Sequence, residues 1–190
     1  AEAALMAMRI TGRNRIVASK ALHPEYLSVI RTYLRGSEAE LRESRLADGA
    51  EDLEAIEKFM DGETAAFVVQ VPNFFGIVDD LPEISKAAKK RGGLLIVCAD
   101  PISLAILKPP AEYGADICVG DGQPAGNTLS FEGPHVGFLA AKDEYLRQMP
   151  GRIVGETLDS RGNRAFVLTL QAREQHIRRQ RATSNICSNQ

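Results

Sequence analysis

The chain has 190 residues, 44% of them apolar and 25% charged, the composition of an ordinary folded domain with room for a real core. Twenty-three basic against twenty-five acidic side chains leave a net charge of −2. That balance excludes a dedicated nucleic-acid binder, which carries a basic excess. No apolar run approaches the roughly 20 residues that a membrane span requires.

Residues 1–11 (AEAALMAMRIT) are rich in helix formers and run into Gly12, a plausible C-cap. They open inside a helical pattern without an initiating methionine, so a longer natural chain is expected. No basic stretch precedes their apolar residues, so no secretory signal is expected. Asn14 to Ser19 reads as a short strand. Pro24 opens a helix with Leu27, Ile30 and Leu34 on one face, stopped at Gly36. Glu40 to Leu46 is a weak strand candidate. Asp52 to Met60 reads as a helix with Leu53, Ile56 and Phe59/Met60 inward.

Ala65 to Val71 is a buried strand ended by Pro72-Asn73, and Leu81 to Arg91 an amphipathic helix. Leu94 to Ala99 (LLIVCA) is the best strand in the chain, closed by Asp100-Pro101. A short helical turn over Ile102 to Lys108, a strand over Asp116 to Val119, a Gly/Pro-rich loop from Gly120 to Gly137 and a strand over Gly137 to Ala141 follow. Arg164 to Arg181 reads as a helix, with Arg173, Arg178, Arg179 and Arg181 on an exposed face.

Strands alternating with helices, and strands that are continuously apolar, predict an α/β fold with a mostly parallel mixed sheet covered by helices. Ligands of such sheets sit outside the carboxyl ends of the strands. The exits Ser19-Lys20 to His23, Pro72-Asn73, Asp100-Pro101 and Gly120-Asp121-Gly122-Gln123 would converge there. Asp100 can serve as a metal ligand, a base or a partner for a ring nitrogen, or can simply cap the next helical turn. His23 can be a stacking surface or a plain helix-start residue. The cysteines Cys98, Cys118 and Cys187 and the scattered His23, His135 and His176 match no metal pattern. The thiols suit a reducing, cytoplasmic setting. GxGxxG, Walker A and GxSxG motifs do not occur.

Four stretches carry a resemblance: GDGQPAGNTLSFEGPHVGFLAA (120–141), RQMPGRIVGET (147–157), EQHIRRQRATSNICSNQ (174–190) and HPEYLSVIRTYLRG (23–36), with VQVPNFFGIVDDLPEI (69–84) beside them. They resemble the glycine cleavage system P-protein family, in its bacterial subunit 1 (alpha) form, over a central part of that subunit. The resemblance implies the large domain of the pyridoxal-phosphate-dependent aspartate-aminotransferase fold, fold type I. It implies a partial large domain over residues 1–160 and a helical segment over 161–190 leading toward a further C-terminal domain.

The implied activity is glycine decarboxylation with transfer of the aminomethyl group to the lipoylated H-protein, in the cytoplasm, with a subunit 2 as partner. Neither nucleic acid nor membrane is an implied partner. The family's fold needs a Schiff-base lysine, and the stretch matching its place is Gly120-Asp121-Gly122-Gln123-Pro124, with no lysine between Lys108 and Lys142. No catalytic residue is therefore expected in this chain, and pyridoxal phosphate is expected to be held covalently by the partner subunit. The remaining pattern is vestigial or partner-directed: Asp100 matches the pyridinium partner, His23 the stacking histidine, and Asn73 a loop near the cofactor. Asn127, Thr128 and Ser130 could reach the partner's phosphate, or their loop could only pack the interface. Three readings stand: a non-lysine subunit completing the partner's site, a purely structural scaffold, and an independent enzyme using Asp100 or the thiols.

Overall fold

The computed structural model describes residues 1–126 and 135–182. Their contacts divide the chain into two compact units, Ala1–Lys142 and Asp143–Gln190. The first unit opens with α1 (Glu2–Thr11), which buries Ala3, Ala4, Met6 and Ala7. It stops where Gly12 takes φ 68° and returns its N–H to the Met8 carbonyl, a left-handed turn that a residue without Cβ adopts freely. After β1 (Arg15–Ala18) comes α2 (Pro24–Leu34), which buries the expected stripe of Leu27, Ile30 and Leu34. β2 (Glu40–Glu43) precedes a short antiparallel pair, β3 (Leu46–Ala47) and β4 (Ala50–Glu51).

α3 (Leu53–Phe59) is capped by Asp52, whose carboxylate accepts the Ala55 N–H at 3.0 Å. Ala55 and Ile56 face inward, and Met60 is buried just past the helix end. Leu53, expected inward, is exposed because it lies at the margin of the face set by Ala55, Ile56 and Phe59. β5 (Thr64–Val71), α4 (Leu81–Lys89), β6 (Leu94–Ala99), β7 (Ile117–Asp121) and β8 (Gly137–Ala141) complete the unit.

Six of these strands form one sheet in the order β2-β1-β5-β6-β7-β8. Every pairing is parallel except the last, where β8 runs antiparallel and sets Phe138 against Gly120. β5 and β6 are buried almost throughout because they are central and covered on both faces. Phe67, Val69, Leu95 and Val97 pack with Ile56 from α3, Met60 just past it, and Ile84 and Ala88 from α4 into one core. Burying such side chains supplies roughly 1.5–3 kcal/mol each.

The amino edge of the sheet is tied by Asp116, whose side chain is 2% exposed. Its carboxylate accepts the Leu95 N–H at 2.9 Å and pairs with Lys142 at 2.6 Å and Lys89 at 3.1 Å. The carboxyl edge is held differently. Asn73, after the exit of β5, is buried, and its Oδ1 accepts N–H groups from Phe75 at 2.9 Å and Ile77 at 3.1 Å. Its Nδ2 donates to the Gly49 carbonyl and to Asp79, both at 3.0 Å. Both lone-pair sites and both protons of the amide are thus used.

The second unit corrects the helix expected over Arg164 to Arg181. β9 (Ile153–Leu158) and β10 (Arg164–Thr169) form an antiparallel ribbon, with Val154 opposite Leu168 and Glu156 opposite Phe166. Asp159 builds the turn between them, accepting N–H groups from Arg161 at 2.8 Å and Asn163 at 2.9 Å, while Gly162 takes φ 80°. The run AFVLT favours a pleated strand once a partner exists, and propensity for helix yields to it. Only α5 (Gln175–Arg178), four residues long, is α-helical here, flanked by single 3-10 turns. Arg173, expected on an exposed face, is buried and donates to the carbonyls of Met149 and of Gly151, the latter at 3.0 Å. Among the described residues, no helix is long and apolar enough to cross a membrane.

Two outcomes follow from the edge contacts. Asp116→Ala leaves the buried Leu95 N–H without its acceptor and removes the carboxylate that Lys89 and Lys142 share, and urea unfolding of the intact protein will show a loss of about 2–3 kcal/mol. Asn73→Asp keeps the two accepted bonds but sets a second carboxylate against Asp79 and an acceptor against Gly49. It will lower stability by about 2 kcal/mol, read as the difference from wild type in thermal melts.

Candidate functional site

The carboxyl ends of β5, β6 and β7 border a cleft of about 150 Å³. Gln70 enters it from β5, Cys98 and Ala99 from β6, and Gly120 and Asp121 from β7. Asp100, Pro101, Pro124 and, from α2, Tyr26 close the rim. Gln70 and Cys98 are register partners, so they stand side by side at the cleft floor. Gly120 is required by packing: a Cβ there would meet the Ala99 carbonyl at 2.3 Å and the Phe138 ring at 2.4 Å.

Asp100 reaches this cleft, as the strand pattern implied, and is exposed there. Its Oδ1 accepts the Ile102 N–H at 3.1 Å and its carbonyl accepts the Ser103 hydroxyl at 2.7 Å, which closes a turn after β6, while the N-cap of the next 3-10 turn is Ile102, not Asp100. Asp100 thus borders the cleft and also organises the turn that follows β6. Asp121 accepts the Gln123 N–H at 2.9 Å and lies 4.0 Å from His135. The Tyr26 hydroxyl is pushed above the usual tyrosine range, first by burial and then by Asp121.

His23 stands beside the cleft rather than in its lining. It caps α2 through Nδ1, which accepts the Glu25 N–H at 3.2 Å, and its own N–H donates to Gln70 Oε1 at 2.9 Å. Its ring lies 5.1 Å from that of Tyr26 and 5.2 Å from that of Phe74, which in turn lies 5.8 Å from Phe75. These rings form an exposed aromatic face next to the cleft. Asn73 points away into the turn it organises. Asn127, Thr128 and Ser130 lie outside the described residues.

Neither described thiol is a nucleophile, and Cys187 lies outside the described residues. Burial pushes Cys98 up to about 12 and Cys118 up to about 11, so neither is a thiolate near neutral pH. Among the described residues, no group of three or more His, Cys, Asp or Glu could hold a metal ion. Lys142, the first lysine after the cleft segment, is engaged with Asp116 at the far end of β7. Two features escaped the sequence reading. Gln70 had a signal, as the one polar side chain in AAFVVQV. Tyr26 had none, since only the placement of α2 brings it to the rim.

The model of the glycine cleavage system P-protein family matches residues 1–190. A probable glycine dehydrogenase (decarboxylating) subunit 1 of Carboxydothermus hydrogenoformans is 59% identical over the whole chain, which spans 43% of that relative. The corresponding subunit 1 of Desulforamulus reducens is 56% identical, again over 100% of this chain and 43% of its own. A crystal structure of an inhibitor-bound glycine decarboxylase (P-protein) of the glycine cleavage system superposes with a TM-score of 0.91 at 49% identity, over 99% of this chain and 42% of that one. The fold is that of a pyridoxal-phosphate fold type I enzyme. With the family model matched from end to end and the same sheet in a solved relative, this chain belongs to the glycine cleavage system P-protein family.

Proposed function

We propose that the chain is part of subunit 1 of a heteromeric glycine dehydrogenase (decarboxylating). In this reading subunit 1 completes the active site of subunit 2, which holds pyridoxal phosphate on its own lysine. Glycine is the substrate and the lipoylated H-protein receives the aminomethyl group. The names of the relatives support a second subunit, and the family is one of pyridoxal-phosphate enzymes. The free thiols Cys98 and Cys118 fit a cytoplasmic setting.

One observation carries the division of labour. The described lining of the cleft holds two carboxylates, Asp100 and Asp121, and neither an amine nor a guanidinium. A covalently held, phosphate-bearing cofactor needs an amine for its carbonyl and donors or positive charge for its phosphate. The described lining offers the Gln70 amide and the Tyr26 hydroxyl as donors but no amine and no positive charge, so it does not fit pyridoxal phosphate as this chain's own covalent group. When bound, that cofactor supplies the electron sink for the pair left on the glycine carbon as CO₂ departs. The part left to this chain is to shape and close the partner's site, and Asn127, Thr128 and Ser130 are the residues we assign to it.

The scaffold reading keeps a specific basis. Asp100 spends an oxygen on the turn after β6, and Asn73 has no bonding capacity left. Reconstitution separates the two. Subunit 1 and subunit 2 alone will be inactive in glycine decarboxylation, and mixing them will restore turnover. Replacing Asn127, Thr128 and Ser130 by Ala together will cut turnover of the heteromer at least ~100-fold, the scale of losing oriented donors at a developing charge, without preventing assembly. Unchanged turnover would make the subunit a scaffold.

A further inference from the structure

Four loops meet on one half-buried carboxylate. Glu51, at the end of β4, accepts hydrogen bonds from the hydroxyl of Ser19, at the exit of β1, and from that of Ser44, at the exit of β2, the latter at 3.3 Å. Both serines have no exposed surface. The Glu51 backbone N–H donates to Asp79 Oδ1 at 2.8 Å, and Asp79 Oδ2 accepts from Asn73 at 3.0 Å. Among the described residues, neither carboxylate forms an ion pair. Ser19 comes from the β1 exit, Ser44 from the β2 exit, Gly49 from the β3–β4 turn, and Asn73 and Asp79 from the segment after β5. Of these, Asp79 is the one residue with an acidic side chain.

An ionised Glu51 is poorly served here. Two hydroxyls solvate it, a second carboxylate stands nearby, and no cation offsets either charge. Burial, with a smaller push from Asp79, raises its carboxyl to about 7 against the pull of Ser19 and Ser44. The contacts lead outward from there. Ser19 Oγ accepts the Ala21 N–H at 2.8 Å, and the Ala21 carbonyl accepts the Phe74 N–H at 2.8 Å. Glu51 is thus linked through two short steps to the loops that present His23, Phe74 and Phe75.

We propose that Glu51 is a protonation-dependent clamp: its neutral carboxylic acid locks the 19–23 and 72–79 loops together, and its ionisation loosens the aromatic face beside the cleft. The direction follows from linkage. The closed cluster holds the proton more tightly than an opened one, in which Glu51 titrates as an ordinary glutamate. Opening therefore becomes about tenfold easier per pH unit between the two values, from about 4.5 to about 7, and is flat above.

The test is amide hydrogen exchange on the intact protein at about pH 5 and about pH 7.5, corrected for intrinsic rates, with β6 amides as the internal reference. The Ala21 and Phe74 amides will lose at least ~10-fold protection while β6 keeps its own, and Glu51→Gln will abolish the difference. Equal protection at both pH values, or the same loss in Glu51→Gln, would overturn the clamp. Should Glu51→Gln fail to fold, the carboxyl carbon of Glu51 in the wild-type protein is followed by NMR. A midpoint near 7 supports the proposal, and one below ~5, the ordinary glutamate range, overturns it.

Discussion

Parallel pairing is the constraint on which the first unit depends. Strands that run side by side in one direction cannot be joined by hairpins, so each link must cross back over a face of the sheet. β1, β5, β6 and β7 therefore all release their chain at one edge and receive it at the other. The helices that carry the chain back also cover the apolar faces, which lets β5 and β6 be apolar along nearly their whole length. A cleft at the carboxyl edge is the geometric remainder of this arrangement.

The two edges have opposite chemistry. At the amino edge one buried aspartate gathers two lysines and a backbone N–H, which fixes β7 against β6. At the carboxyl edge the cleft shows carboxylates, an amide and a phenol, and the loops around it are held by hydroxyls and amides. Lys142, the nearest downstream amine in sequence, is committed to the amino edge, a strand length of roughly 3.3 Å per residue away from the cleft.

Much of this was legible in the chain. LLIVCA and AAFVVQV announce buried parallel strands by being apolar without alternation, and Leu27, Ile30 and Leu34 announce a helix by their spacing. Asp100 stands just past the end of β6, as a strand followed by Asp-Pro indicates. The ribbon of β9 and β10 was not legible as such. Its residues have mixed propensity, and the deciding facts are a partner strand and an Asp-to-Asn turn closed by Gly162. Arg173 was misplaced for the same reason, since its carbonyl partners lie more than twenty residues upstream. The Glu51 cluster was invisible, because it joins four segments that only the tertiary fold brings together.

The absence of an amine from the described cleft lining underlies the reading of this chain as one half of a shared catalytic unit. The heteromer of subunit 1 and subunit 2, loaded with pyridoxal phosphate, can be reduced with borohydride, digested and mapped by mass spectrometry. The account predicts a pyridoxyl group on a lysine of subunit 2 and none on subunit 1. A pyridoxylated lysine within this chain would contradict it.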